Sequence, residues 1–295
     1  MKIVYSVKSY SFHLFFYILT FFKKLFSPLV STNPCRQRNP KIVGGYEADT
    51  HEFPFIVSLT KRGGHFCGAT IISENWILTA GHCICNGLNK FMKPTQIQGV
   101  LGLHSITNYI NGTQEESMKL NPLQIHFKTI IPHPQYICES VKNDIALLEL
   151  VQPIQFSPYI QPTCLMLDSS NDIPENTVAT VSGWGWTDEN QETGQRADIL
   201  RKASVKVWNN QECEKSYKLN GKRNSFITDT QMCAGFEKGG VDSCWADSGG
   251  PLISKEHVLI GVVSTGVGCA RPGLPGIYTR VSKYISWMQS VILNN

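Results

Sequence analysis

Short apolar runs separated by turn-forming residues make up most of this chain. From position 42 onward, runs of four to eight residues, rich in β-branched side chains, recur between Gly, Pro and Asn. The runs cover positions 55–59, 69–72, 97–101, 145–150, 178–181, 203–207, 257–264 and 276–281. Many short strands with turn signals between them predict an all-β sandwich or barrel.

Two segments depart from this strand pattern. Near the C-terminus, apolar residues at 281, 284, 285, 288, 291 and 292 recur three or four positions apart, which predicts an amphipathic helix. This is the only segment for which we expect a helix. Prolines at 153, 158 and 162 interrupt the strands, so a boundary between two β halves is expected near 152–162.

The charge distribution argues against a nucleic-acid partner. The 295 residues carry a formal net charge of +4, and only 17% of them are charged, which excludes long charged disordered tracts. Seven of the 27 basic residues lie in positions 1–41, which contain no acidic residue. The remainder holds 20 basic and 23 acidic residues, whereas a nucleic-acid binder carries its positive charge on the folded domain.

The cysteines and the N-terminus indicate secretion. Ten cysteines without a C-x-x-C pair favour five disulfides formed in an oxidising compartment. Lys2 and Lys8 precede an apolar run of nine residues at 14–22, which is too short to span a bilayer. We therefore expect a cleaved signal peptide over about residues 1–31, with an uncleaved membrane anchor as the alternative. The sequon at Asn111 is a candidate glycosylation site.

Three segments carry candidate chemistry: 78–83 with His82, 143–147 with Asp144, and 242–251 with Ser248. Taken singly, each is more often structural, as a histidine beside a cysteine, a cap before a strand, and a tight turn. Together they supply a general base, a group that orients it, and a nucleophile.

With these segments the chain resembles the trypsin-like (chymotrypsin-fold) serine proteases. The resemblance runs from 42 to the C-terminus and includes the sequences IVGG at 42–45, SGWG at 182–185 and PGIYT at 275–279. It implies an all-β fold of two packed antiparallel β-barrels with a C-terminal helix. The organisation would be a signal peptide (1–31), a short activation propeptide (32–41) and a protease domain (42–295).

The resemblance also implies catalytic roles. Ser248 would be the nucleophile, His82 would accept and return its proton, and Asp144 would orient the imidazole. The backbone N–H groups of Ala246 and Ser248 would form the oxyanion hole. Asp242 would lie at the floor of the pocket for the residue before the scissile bond, P1. A carboxylate there selects Arg or Lys.

Other residues of the pocket and the activation site follow from the same resemblance. Ser264, Gly266 and Gly276 would surround the P1 pocket. Cleavage after Lys41 would free the ammonium of Ile42 to pair with Asp247, and without this pairing the pocket should remain unformed.

The cysteines fit the family pattern with one addition. The family pattern implies the pairs Cys67–Cys83, Cys213–Cys233, Cys244–Cys269 and Cys35–Cys164, the last tethering the propeptide. Cys85 and Cys138 remain, close in sequence to His82 and Asp144, and we expect them to form an extra bridge. A frequent family bridge is absent at both of its positions, Ala179 and Ser254.

Three departures leave a second function open. Ala246 stands where the family has glycine, and a left-handed alanine costs about 1–2 kcal/mol. A peptide flip there would lose an oxyanion donor and about 10²–10³ in rate. Trp245 at the pocket rim and Thr265 in place of a tryptophan would also alter substrate contacts. The alternative is therefore a weakly active or inactive homologue that acts by binding.

We expect no cofactor and no metal. Leu103 stands where the calcium loop of trypsin begins with a glutamate, and leucine cannot ligate calcium. The expected partners are polypeptide substrates, protein protease inhibitors and an activating protease, for a monomer that contacts no nucleic acid and, after signal removal, no membrane.

Overall fold

A computed structural model describes most of the chain from Gly45 to the C-terminus. The described residues are 45–86, 90–112, 122–138, 140–166, 173–190, 192, 194–240, 243–244 and 246–295. The expected signal peptide and propeptide lie outside them, as do Ile42, Asp242 and Trp245.

The N-terminal half forms a seven-stranded antiparallel sheet. Its strands are β2 (Ile56–Lys61), β3 (Gly64–Ile71), β4 (Trp76–Thr79), β5 (Gln98–Leu101), β6 (Leu123–Ile125), β7 (Phe127–Pro132) and β8 (Ala146–Leu150), which pair in the order β6-β5-β2-β3-β4-β8-β7. The sheet curls around a large apolar core, in which Leu59, Ile71, Ile77 and Leu147 are fully buried. Within the described residues no pairing between β6 and β7 closes the sheet, so this half is a curled half-barrel.

The C-terminal half forms a second, closed barrel. Its strands are β10 (Val178–Gly183), β11 (Arg201–Val207), β12 (Gln231–Gly235), β13 (Pro251–Ser254), β14 (Val258–Thr265) and β15 (Gly276–Arg280), with β1 (Tyr46–Glu47) and β9 (Cys164–Leu165) added at its margins. The six main strands pair in the order β11-β10-β13-β14-β15-β12, and β12 pairs back to β11. The predicted all-β architecture of two antiparallel β-barrels with a C-terminal helix is confirmed, with the first barrel formed as a curled half-barrel among the described residues.

The helices are short. They are α1 (Ile106–Asn111), α2 (Asn210–Leu219) and α3 (Ile285–Asn294), with 3₁₀ turns at Gly81–Ile84, Pro94–Gln96 and Val281–Tyr284. The C-terminal helix is confirmed, but the expectation of a single helix is wrong. Only Cys213 and Tyr217 of α2 are buried, so its apolar stripe is too sparse to produce a clear helical period. No helix in the described part of the chain is long and apolar enough to cross a membrane.

The two halves meet at paired glycines. A Cβ on Gly68 of β3 would lie 2.8 Å from the Cα of Gly250, so the backbones touch here without side chains between them. The Gly68 N–H donates to the Ser248 carbonyl at 2.8 Å. This contact joins the first sheet to the segment that carries the candidate nucleophile.

Candidate active site

Strand pairing brings His82 to Asp144. His82 lies in the 3₁₀ turn that follows β4, and Asp144 lies just before β8. Because β4 and β8 pair with Thr79 opposite Ala146, the two side chains meet at the same end of the sheet. The backbone N–H of His82 donates to Asp144 Oδ1 at 2.8 Å, and His82 Nδ1 lies 2.8 Å from Asp144 Oδ2.

The second barrel supplies further hydrogen bonds to Asp144. The hydroxyl of Ser264 on β14 donates to Asp144 Oδ2 at 2.6 Å, and Thr279 Oγ1 on β15 donates to the Asp144 carbonyl at 2.7 Å. Asp144 is only 2% exposed. Since its carboxylate can accept but not donate, His82 Nδ1 carries the proton, and Nε2 of the neutral ring is free to act as a base.

The pKa shifts of the pair favour an ionised Asp144 and a protonated His82. Burial alone would lower the pKa of His82, but the charge and hydrogen bond of Asp144 outweigh it and raise that pKa above 6.5. Burial would raise the pKa of Asp144, but His82 and the hydrogen bonds from His82 and Ser264 lower it. The arrangement therefore stabilises an imidazolium opposite a carboxylate, the state needed after proton abstraction.

Ser248 shares one cavity with this pair. The cavity of about 460 Å³ is lined by His82, Asp144 and Ser248 together with the wall residues Ser264, Gly266 and Gly276. Among the described residues, Ser248 makes no side-chain hydrogen bond to the His82 ring. His82 Nε2 lies instead 3.8 Å from Cys83 Sγ. Since catalytic hydrogen bonds often form fully only when substrate binds, the shared cavity is compatible with a serine–histidine couple.

The candidate P1 pocket is bordered by small residues. A Cβ on Gly266 would lie 3.9 Å from the Cα of Gly276, so the two glycines are neighbours in the wall of the cavity. Ser243 lines the same cavity. Asp242, expected at its floor, lies outside the described residues, and its role stays a prediction.

The backbone at Ala246 is left-handed, with φ of 72°. This is the region that its Cβ disfavours by about 1–2 kcal/mol. The chain thus keeps a conformation suited to glycine although it carries an alanine. The Ala246 carbonyl lies 3.1 Å from Nε2 of His65.

The carboxylate of Asp247 is buried beside the candidate nucleophile, although the residue as a whole is only partly buried. Its carboxylate accepts backbone hydrogen bonds from Gly185 at 2.7 Å and from Cys244 at 2.9 Å. Burial raises its pKa to about 6, and no cation pairs with it among the described residues. A cavity of about 260 Å³ extends along Asp247 to Gly45, three positions after Ile42. Ile42 itself lies outside the described residues.

Four disulfides lie within the described residues. They are Cys67–Cys83, Cys85–Cys138, Cys213–Cys233 and Cys244–Cys269, four of the five expected pairs. Cys164 is also disulfide-bonded, but Cys35 lies outside the described part, so that pairing stays a prediction. Cys67, His82 and Cys83 form the only cluster of potential metal ligands in this part of the chain. Its two sulfurs are joined to each other and offer no thiolate.

The expected glycosylation site and the expected absence of calcium are not tested by the described residues. Asn111 is exposed at the end of α1, while Thr113 of its sequon lies outside the described residues. Leu103 is buried in the core at 5% exposure. The glycan at Asn111 and the absence of calcium stay predictions.

Sequence reasoning missed several residues of the site, although one of them, Thr279, lies in the PGIYT motif at 275–279. The ring of Tyr136 packs on Gly81, where a Cβ would lie 2.7 Å from the ring. Thr279 and His65 bond to the Asp144 and Ala246 carbonyls from other strands. A single tyrosine in a loop or histidine in a strand is indistinguishable from an ordinary structural residue until the chain is folded, and the motif that contains Thr279 does not show which carbonyl its hydroxyl contacts.

Comparison with known proteins agrees with this geometry. The family model described as Trypsin matches residues 42–288. The chain is 39% identical to "Trypsin 5G1" of Aedes aegypti over 254 residues, which cover 85% of each protein. It is 37% identical to "Transmembrane protease serine 9" of Rattus norvegicus over 259 residues, 86% of this chain but 22% of the rat protein.

Proposed function

The chain belongs to the trypsin family of serine proteases, and we propose that it is the secreted precursor of an endopeptidase that cleaves after Arg or Lys. The observation that carries the proposal is the pairing of His82 with buried Asp144 in the cavity that also contains Ser248. Three groups with these chemistries are needed because serine alone is a poor nucleophile at neutral pH.

The proposed reaction is acyl transfer. Ser248 Oγ attacks the scissile carbonyl while its proton passes to His82 Nε2, and the N–H groups of Ala246 and Ser248 stabilise the oxyanion. The imidazolium then protonates the leaving amine. Water, deprotonated by His82, hydrolyses the acyl-enzyme and restores the serine.

The preference for Arg or Lys rests on the shape and chemistry of the pocket. Gly266 and Gly276 leave space for a long side chain, and Asp242 would supply the carboxylate that pairs with its cation. Asp242 precedes Ser248 by six residues, the register in which trypsin-like enzymes carry this carboxylate.

Activation would follow cleavage between Lys41 and Ile42. The new ammonium would pair with Asp247, whose carboxylate is buried and accepts only backbone hydrogen bonds among the described residues. The cavity between Gly45 and Asp247 supports this, because it offers the new terminus a route to the carboxylate. An activating protease and protein inhibitors are the proposed partners besides polypeptide substrates, and we propose a monomer.

Secretion is supported by the four described disulfides and by the short apolar run at 14–22. The alternative, an uncleaved leader that anchors the enzyme to a membrane, predicts a native N-terminus that still contains residues 14–22. Mass spectrometry of the native N-terminus distinguishes the two.

A weakly active homologue that acts by binding is the second candidate. It is favoured by the lack, among the described residues, of a hydrogen bond between Ser248 and the His82 ring. Such a protein would bind peptides in the same cleft without turning them over.

The deciding experiment uses full-length protein cut at Lys41 by an immobilised trypsin-like activator, which is then removed. An Arg-directed covalent reagent titrates Ser248, and peptides with Arg or Phe at P1 are assayed, with Ser248→Ala as the control for residual activator. Stoichiometric labelling with faster cleavage after Arg supports the proposal. Correct cleavage without labelling or turnover favours the binding homologue, and faster cleavage after Phe rejects the pocket assignment.

A further inference from the structure

His65 on β3 connects the first sheet to residues 246–248 in the C-terminal half. These residues carry the proposed oxyanion donors and are called the oxyanion segment. Its Nε2 lies 3.1 Å from the carbonyl oxygen of Ala246, and its Nδ1 lies 2.8 Å from Ser58 Oγ on β2. His65 is 5% exposed and Ser58 is fully buried. The hydrogen bond to Ala246 joins residues 181 positions apart.

The partners determine the tautomer of His65. A carbonyl oxygen only accepts, so the proton must be on Nε2, and Nδ1 then accepts from the Ser58 hydroxyl. Burial lowers the pKa of His65 to about 4, which keeps the ring neutral at physiological pH. The ring also packs against Trp184 in a T-shaped arrangement, with ring centres 5.6 Å apart. Ser58 and Trp184 therefore hold a single donor aimed at the Ala246 carbonyl.

This hydrogen bond acts where the backbone is strained. Ala246 has φ of 72°, and relaxation toward the ordinary right-handed or extended regions would rotate its two flanking peptides. Such a rotation turns the Ala246 carbonyl away from His65. It also redirects the Ala246 N–H, the proposed oxyanion donor.

We propose that His65 is a positioning residue that holds Ala246 in its left-handed conformation and so keeps the Ala246 N–H directed at the oxyanion. The catalytic part of the proposal rests on the protease function proposed above. It explains how this chain can carry alanine at 246, since glycine would adopt the same angles without an external hydrogen bond. The need for His65 should therefore depend on the side chain at 246.

A double-mutant cycle tests that dependence, with His65→Ala, Ala246→Gly and the double variant in the cleaved full-length protein. Two ligands separate the oxyanion hole from the P1 pocket. A peptide argininal forms a tetrahedral oxyanion with Ser248, whereas benzamidine fills the P1 pocket alone. We expect His65→Ala to weaken argininal binding and lower kcat by about tenfold or more, and to leave benzamidine affinity unchanged. Ala246→Gly should restore most of the loss.

Two outcomes overturn the proposal: unchanged argininal affinity in His65→Ala, or the same loss when residue 246 is glycine. His104→Ala serves as the matched control, because His104 is also a buried histidine, at 8% exposure, and none of the described hydrogen bonds joins it to the oxyanion segment. It should leave the ratio of argininal to benzamidine affinity unchanged. A comparable change in that ratio would indicate a general effect of removing a buried imidazole and would contradict the assignment.

Two further measurements test the proposal if His65→Ala does not fold or if the wild-type protein is inactive. If His65→Ala does not fold, Ser58→Ala keeps the ring but removes the donor that fixes its tautomer, and it should shift the same affinity ratio in the same direction. If the wild-type protein neither labels nor turns over, the protease proposal fails, but thermal unfolding still tests the contact. Ala246→Gly should then raise the Tm more in the presence of His65, which enforces the strained conformation, than in its absence. Equal shifts contradict the inference.

Discussion

His82 and Asp144 are joined twice, through the backbone N–H to Oδ1 and through the ring Nδ1 to Oδ2, each at 2.8 Å. The first contact fixes where the carboxylate lies relative to the main chain of the 3₁₀ turn. The second fixes the orientation and tautomer of the ring. With Ser264 donating to the same Oδ2, both oxygens of the buried carboxylate accept hydrogen bonds from protein groups.

The charge of Asp144 should set the acid limit of activity. His82 must be neutral to accept the serine proton, and its pKa lies above 6.5. We therefore expect kcat/KM to rise with pH through that raised value and to be lost below it. In Asp144→Asn the anion is gone and burial lowers the pKa, so the acid limb should move to lower pH. An NMR titration of the His82 ring and the pH profile of kcat/KM both measure this shift.

The same variant should also lose rate. An asparagine can donate to Nδ1 and so favours the tautomer whose Nε2 carries the proton and cannot act as a base. In serine–histidine–aspartate triads of this fold the equivalent change lowers kcat by about 10⁴-fold for this reason, and we expect a loss of that order here. Asp198→Asn is the control, since Asp198 bonds to Ser105 and Thr107 away from the cleft. An acid limb that stays in place in Asp144→Asn contradicts the electrostatic role.

Asp247 should control activation. Asp247→Asn leaves the new ammonium of Ile42 without a buried anion, and loss of one partner of a buried pair costs about 3–5 kcal/mol. The variant cut at Lys41 should therefore retain no more than about 1% of wild-type turnover. Asp188→Asn is the matched control, because Asp188 lines the same cavity but is exposed. If Asp247→Asn turns over substrate like the wild type, with cleavage at Lys41 verified by mass spectrometry, Asp247 does not control activation.

The contact between the halves should tolerate no side chain at position 68. Gly68→Ala places a Cβ 2.8 Å from the Cα and 3.0 Å from the nitrogen of Gly250, so the backbone must shift. We expect a loss of about 1–3 kcal/mol in unfolding free energy and reduced labelling of Ser248. On the same strand, Gly64→Ala meets nothing closer than 3.8 Å and should be nearly neutral. Equal effects of the two variants in denaturant titrations would contradict this account.

The Cys85–Cys138 bridge closes a loop across a sequence separation of 53 residues and ties the segment after His82 to the segment before Asp144. Removing it with the double substitution Cys85→Ser/Cys138→Ser should lower the unfolding free energy by about 4 kcal/mol on the chain-entropy model. Denaturant titration measures the loss, and non-reducing peptide mapping of the wild type should find the crosslink. Free thiols at both positions, or unchanged stability, would dismiss the bridge.

Much of the fold was readable from local patterns. Each predicted apolar run contains or overlaps an observed strand, because a β-branched run between turn residues needs only short-range information. The C-terminal helix was also predictable, because its apolar residues recur three or four positions apart and this too is short-range information. Helix α2 was not, since its stripe of Cys213 and Tyr217 is too narrow, although Asn209 caps its N-terminus with bonds to Gln211 and Glu212.

The missing family bridge shows how sequence and structure complement each other. The resemblance to the family implies that positions 179 and 254 are partners, and the sequence lacks cysteine at both. The structure makes Ala179 and Ser254 direct Cα partners across β10 and β13. The absence of both cysteines could be seen in the sequence and their pairing was implied by the family, but only the sheet register shows that the two positions are adjacent.

The sequence alone determined the family, the candidate triad and the strand-rich architecture, since these are encoded in short motifs and local periodicity. The tertiary structure decided that, in the described part of the chain, one sheet is open while the other closes, that Ala246 is left-handed, and that His65 bonds to it. It also brought Ser264 and Thr279 to Asp144. These hydrogen bonds join residues more than a hundred positions apart. Local sequence patterns do not specify such partners, because a polar residue in a strand can face many different groups until the strands pair.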